Sequence, residues 1–174
     1  MRDWSNDHPY NILRLINVIL LFFHRIQIIM ENNNASIASL IQKTYQCISG
    51  NNHTERDWQT YRTLFIPDAR LTIVLKGNNT NQLLVYTIDD YIQNISQLLG
   101  DSSFFERDVQ HRIEYQDSFA VVWSDYEARI VPQGEIIYTG TNCFQLYFDG
   151  NQWRIISLLW ERKAKPEFFE NPHS

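Results

Sequence analysis

Along this chain apolar residues recur first at helical spacing and later at every second position. Ile37, Leu40, Ile41, Tyr45 and Ile48 fall on one helical face, with Ser36 placed to cap the start and Gly50 to stop the turn. Thr54 and Asp57 form a capping-box-like pair ahead of the stripe Trp58, Tyr61, Leu64 and Phe65, which predicts a second helix ending before Pro67. Arg70 to Leu75 and Leu83 to Tyr86 read as short strands that turn at Gly77-Asn78-Asn79 and pair. Thr87, Asp89 and Asp90 then supply a cap and favourable charge to a third helix carrying Tyr91, Ile92, Ile95, Leu98 and Leu99, closed by Gly100.

From Glu106 to Glu161 the pattern becomes that of four long strands. Val109, His111, Ile113 and Tyr115 alternate with Gln110, Arg112, Glu114 and Gln116, so His111 points with the apolar set. Across a turn at Asp117-Ser118, Ala120, Val122, Ser124, Tyr126, Ala128 and Ile130 form an inward face, and Trp123, Asp125, Glu127 and Arg129 the outward one. Pro132-Gln133-Gly134 leads into Ile136 to Phe148, where Asn142, Phe144, Leu146 and Phe148 share a face, and Asp149-Gly150-Asn151 turns the chain again. The last strand, Trp153 to Trp160, is apolar on both faces, which suits a strand covered on both sides. The expected result is a hollow walled by the inward row with His111 and Asn142, and roofed by the helices.

Length and composition narrow the classes. A chain of 174 residues fits one domain with one core, and 44% hydrophobic against 20% charged residues is ordinary for a globular protein. The net charge of −5, with Arg56, Arg62, Arg70, Arg112 and Arg129 spread out, disfavours nucleic-acid binding. Cys47 and Cys143 stand apart with no Cys-x-x-Cys spacing, so no metal or cofactor is implied. Asn-x-Ser/Thr matches at Asn34, Asn52, Asn78 and Asn94 are what an asparagine-rich chain produces by chance.

The first thirty residues differ from the rest. The apolar run Leu15 to Phe23 is bracketed by Arg14, His24 and Arg25 and falls short of the ~20 residues of a membrane span. Asp3 and Asp7 sit where a signal peptide carries positive charge. Met30 is therefore the preferred start, with Glu31 to Ala35 as a polar lead-in; the competing reading is an extra helix that packs on a partner or a membrane surface. The expected organisation is an atypical extension over 1–30, a domain over 31–165 and a tail over 166–174, with Glu161-Arg162-Lys163-Ala164-Lys165 already a solvated end.

This order of elements resembles the nuclear transport factor 2-like superfamily, in its SnoaL-like branch, over roughly Ser36 to Arg162. The resemblance is carried by Arg56-Asp57-Trp58 with Tyr61-Arg62 and Leu64-Phe65, by Pro67-Asp68-Ala69-Arg70-Leu71, by Ala120 with Tyr126-Glu127-Ala128-Arg129, and by Asp149-Gly150 with Trp153-Arg154-Ile155. It implies an α+β, cone-shaped cystatin-like fold, with three N-terminal helices packed on a strongly curved antiparallel sheet. Proteins of the superfamily include steroid isomerases, scytalone dehydratase, polyketide cyclases and the small subunits of aromatic-ring dioxygenases, so the fold does not choose a function. Measured against scytalone dehydratase, His111 is similar to one of two strand histidines and Asn142 to a ligand-binding asparagine, and Tyr126 takes the place of the second histidine. The tyrosine-aspartate pair of that enzyme falls at His53-Thr54 and its strand tyrosine near Ile73. The strand Leu71 to Leu75 lacks the carboxylate base of a steroid isomerase.

Three readings follow. The first is a cytoplasmic, dimeric domain that binds a small, largely apolar or aromatic molecule between the sheet and the helices, with Asn142, Trp58, Tyr61, Ser124 and Phe144 against the ligand. The second is a cofactor-free lyase or isomerase in which His111 moves a proton while Tyr126 and Asn142 polarise an oxygen. In the third, a non-catalytic dimeric module, the outer sheet face with Trp123 and Trp160 serves homodimer assembly. Arg56 and Asp57 read as a cap and a solvated helix terminus, Glu127 and Arg129 as a solvated or subunit-facing pair, and Cys143 as an outward packing cysteine.

Overall fold

The computed structural model describes residues 8–51, 56–77 and 80–164. Thr54 and the Asn78-Asn79 turn lie outside them. The element order is α1 (His8–Ile48), α2 (Trp58–Thr63), β1 (Phe65–Leu75), β2 (Gln82–Tyr86), α3 (Ile88–Leu99), β3 (Phe105–Tyr115), β4 (Phe119–Arg129), β5 (Ile136–Phe148) and β6 (Trp153–Ala164). The chain divides into two units, one ending at Ser36 and the other beginning at Ile37.

In the first unit the expected helix start is absent, because α1 is already helical from His8 and runs through Ser36. Nothing between Met30 and Ser36 breaks a helix, and the Ser36 hydroxyl donates back to the Asn33 carbonyl at 2.9 Å instead of capping. The stretch Arg14–Ile48 contains a window long and apolar enough, by length and composition, to cross a membrane. The run Leu15 to Phe23, interrupted by Asn17, itself rises only about 14 Å, half of a bilayer core. Its side chains lie exposed, Phe22 and Phe23 at 61% and 62%.

The second unit is a six-stranded mixed sheet in the order β2-β1-β6-β5-β4-β3, with helices contributing to its core. From β6 to β3 it is the expected antiparallel meander, and β1 pairs antiparallel with β2. The pairing of β1 with β6 is parallel, so the sheet is not wholly antiparallel. That pairing also claims residues assigned to the second helix. Ile155 N–H donates to the Leu64 carbonyl at 2.8 Å, Phe65 pairs with Ile155, and α2 is cut to six residues. Pro67 then sits in a register shift between Phe65 and Arg70, where a missing N–H costs no ladder bond. At the other end β6 continues to Ala164 paired with Tyr138, so the supposed solvated end belongs to the sheet.

The caps are built as their residue types suggest. Asp57 accepts from Thr60 N–H at 2.9 Å, and Thr87 Oγ1 accepts from Asp90 N–H at 3.2 Å while donating to the Asp90 carboxylate at 2.7 Å. Arg56 is different from its expected role. It is buried, and its guanidinium donates to the Ile48 and Ser102 carbonyls, each at 2.9 Å, tying the end of α1 to the loop before β3. Glu127 is likewise not solvated. It is 7% exposed, and its carboxylate receives Arg107 at 2.7 Å and Arg129 at 2.8 Å. Burial raises its pKa, but the two guanidiniums outweigh burial and hold it below the usual carboxylate value.

Candidate functional site

The inward row of β4 is buried as the alternation predicts, with Ala120, Val122, Ser124, Tyr126 and Ala128 each at 3% exposure or less. Ile130 lies beyond the strand and is exposed. Register places His111 opposite Ser124, and Ser124 opposite Asn142, so His111 and Asn142 share the inner face. Trp160 pairs with Asn142 and belongs to that face, not to the outer one. The outer row is Trp123, Cys143 and Leu159, which with Val74 borders a groove of about 500 Å³.

A register shift in β3 builds what strict alternation does not. Between Asp108 and Gln110 the ladder slips by one residue, so Val109 turns outward at 58% exposure while Asp108 and His111 both join the inner side. Asp108 Oδ2 then lies 2.6 Å from His111 Nδ1, and Ser124 Oγ donates to Asp108 Oδ1 at 2.5 Å. Ser124 Oγ is 2.7 Å from Tyr45 Oη, and Asn142 Nδ2 donates to Tyr45 Oη at 2.8 Å.

The direction of this relay follows from counting protons. Ser124 has one hydroxyl hydrogen and gives it to Asp108, so Tyr45 must donate to Ser124 and accept from Asn142. An ionised Asp108 only accepts, so His111 carries its proton on Nδ1 and keeps Nε2 as the basic nitrogen. Burial, reinforced by the negative charge of Glu106, holds the Tyr45 phenol protonated well above its ordinary value, against its hydrogen bonds with Ser124 and Asn142.

Tyr45 and Asn142 also face a cavity of about 60 Å³ between α1, α3 and the sheet, whose wall includes Tyr61, Tyr91, Tyr126, Tyr138, Trp160 and Glu106. Gly140 is needed for this wall, because a Cβ there would lie 2.5 Å from Tyr126 Oη across the strand pair. Among the residues singled out from sequence, Tyr61, Tyr126 and Asn142 line the cavity. Ser124 and Phe144 are fully buried behind the wall, and Trp58 packs edge-on against Tyr61 at 5.8 Å. His111 stands outside the lining, its side chain 31% exposed. Asp108, Tyr45 and Glu106 are the members that sequence reasoning missed. Only Tyr45 had left a trace there, as one apolar-face position of a helix.

No family model matches the chain, and no curated protein matches it. Solved structures do. A nuclear transport factor 2-like protein with a cystatin-like fold from Novosphingobium aromaticivorans superposes at a TM-score of 0.61 and 10% identity, over 79% of this chain and 86% of that one. The β subunit of a putative aromatic-ring-hydroxylating dioxygenase from the same organism gives 0.61 at 12% identity, over 79% and 93%. A putative scytalone dehydratase, also from that organism, gives 0.57 at 14%, over 76% and 85%. The chain thus has the α+β, cystatin-like fold of the nuclear transport factor 2-like proteins. At these identities the likeness is one of fold.

Proposed function

We propose that the chain is a small-molecule-binding domain whose cavity receives a compact, largely apolar guest, with a polar atom seated on Asn142 and Tyr45. The observation that carries this reading is the one-way relay. It locks Asn142 and Tyr45 in place at the cavity wall, and Asn142 spends one of its two amide hydrogens on Tyr45. The volume of about 60 Å³ lies below the ~300–1,000 Å³ of drug-sized sites, so the guest or its bound end is small. Tyr61 and Tyr126 contribute wall, and Trp58, Ser124 and Phe144 support it from behind.

The Asp108–His111 pair favours a second reading, a cofactor-free lyase or isomerase in the manner of the putative scytalone dehydratase that shares the fold. Asp108 would orient the imidazole so that Nε2 takes a proton from a substrate at the cavity rim, with Tyr126 and Asn142 on the developing oxyanion. One experiment addresses both readings. Small aromatic and carbonyl compounds are screened by thermal shift on the full chain, and each binder is followed by product analysis. Binders are expected to raise Tm and to lose that effect in Asn142→Ala. Any turnover is expected to drop by about 10²-fold or more in His111→Gln with Tm unchanged. Turnover that survives His111→Gln removes the second reading, and a screen without binders counts against the first.

The outer groove favours a homodimer through the sheet face, since Trp123 and Leu159, on either side of Cys143, are exposed at 42% and 43%. Sedimentation is expected to show a dimer that Trp123→Glu dissociates; a monomeric parent chain removes that proposal.

A further inference from the structure

The first unit carries a pattern that a ligand pocket does not explain. Successive side chains of α1 step round its axis by about 100°, so Arg14, Asn17, His24 and Arg25 fall inside one arc about 100° wide, interrupted only by Leu21. The apolar residues between them take most of the remaining circumference. Their sector runs from Val18 past Phe22, Leu15, Ile19 and Phe23 to Leu20, about 200° in all. Each of these six side chains is between 43% and 62% exposed. Phe22 and Phe23, with ring centroids 6.3 Å apart, are the bulkiest part of the sector.

The width of the sector says what can cover it. A partner helix or a folded surface buries a stripe of roughly 100°, which would leave about half of these residues in water. A lipid phase instead wets a helix on every apolar side. The polar arc adds the sign of the lipid surface. Its charges are those of Arg14 and Arg25, with His24 beside them, and no aspartate or glutamate falls between His8 and Met30, although the whole chain carries a net charge of −5.

Orientation follows from the same positions. Arg14 and Arg25 are separated by a rise of only about 16 Å, against a hydrocarbon thickness of about 30 Å. An upright helix with Arg14 at one interface would hold His24 and Arg25 near the bilayer midplane, where a charge is costly. A helix lying flat keeps the whole polar arc among the head groups.

We infer that Arg14–Arg25 of α1 is an in-plane anchor for an anionic phospholipid surface, with Phe22, Phe23 and Leu15 sunk into the acyl boundary and Arg14 and Arg25 on lipid phosphates. Anchoring of this kind is independent of what the cavity holds. Each arginine beside an anionic surface strengthens binding by about fivefold, so the two together give about 25-fold at low salt.

The test is co-sedimentation of the full chain with phosphatidylcholine vesicles, with and without phosphatidylserine. Binding to the serine-containing vesicles is expected to be at least about tenfold tighter, and raised salt is expected to close that gap. Arg14→Gln with Arg25→Gln should lower it to the phosphatidylcholine level, and Phe22→Ser with Phe23→Ser should abolish binding to both vesicles. All four positions are exposed, so these changes leave the fold intact. Equal binding to the two vesicles by the unsubstituted chain overturns the anionic assignment. Protein that stays with the lipid through alkaline carbonate extraction is a spanning helix and overturns the in-plane one. Binding to neither vesicle overturns the anchor, and self-association that Phe22→Ser with Phe23→Ser disperses would then assign the sector to a second copy of this chain.

Discussion

Phe144→Ala lowers the unfolding free energy by about 3–5 kcal/mol, the range for removing a large aromatic side chain from a sealed core. Phe144 is 0% exposed at the middle of β5, flanked across the sheet by Val122 at 0% and Leu158 at 6%. Its ring meets Tyr45 edge-on at 6.4 Å and 80°. Truncation therefore removes apolar contacts and leaves a void whose walls are strand side chains with little room to collapse. The size of the loss separates two roles. A residue in contact with a ligand in an open pocket already faces solvent in the empty protein, and its truncation costs well under the core value. Chemical denaturation with an unchanged m-value checks the expectation, and a loss below about 1 kcal/mol would place Phe144 in the pocket after all.

The architecture was legible in the sequence wherever pattern is local. The alternation of Ala120 to Ala128, the turns before Ile136 and Trp153, the Thr87 cap and the Gly100 stop all report backbone geometry through neighbouring residues. Gly100 has a φ of 49°, which glycine alone adopts without strain. What depends on distant partners was not legible. The helical stripe through Leu64 and Phe65 yields to a parallel pairing with β6 some ninety residues on, because a ladder position with a partner outweighs weak helix propensity. The most consequential miss concerns Asp108. Alternation assigned it outward, since Val109 and His111 formed the apolar set. The slip in the β3–β4 ladder reverses the parity upstream of Gln110, so that positions three apart share a side and the carboxylate reaches the imidazole. A bulge leaves no dependable mark in composition, so the pair emerges only with the register.

Tyr45→Phe, which deletes one oxygen, is expected to cost about 2–4 kcal/mol, far more than its volume change implies. The reason is what remains. Ser124 is 0% exposed and Asn142 5%, so neither recovers a water in place of the lost hydroxyl. Asn142 loses the acceptor of one N–H and Ser124 loses its donor, and each unmet buried group costs about 1–3 kcal/mol. Removing the partner as well should restore stability. In a double-mutant cycle with Asn142→Leu, the doubly substituted protein is expected to be less destabilised than the sum of the single changes by about 1 kcal/mol or more. The same phenol shapes the alkaline limb. Its folded pKa is raised above the ordinary 10.0, chiefly by burial, so the folded protein holds a proton that the unfolded chain releases. Stability from this group is complete below pH 10.0 and falls as pH climbs above it. Tyr45→Phe removes that contribution, and its stability should decline less steeply above pH 10.0. Part of the slope persists, because buried Tyr61 is shifted the same way. Denaturation of the four cycle proteins across that range measures both effects. A cost below about 0.5 kcal/mol with an unchanged alkaline slope would mean that solvent already reaches the relay, and that Tyr45 does not close it.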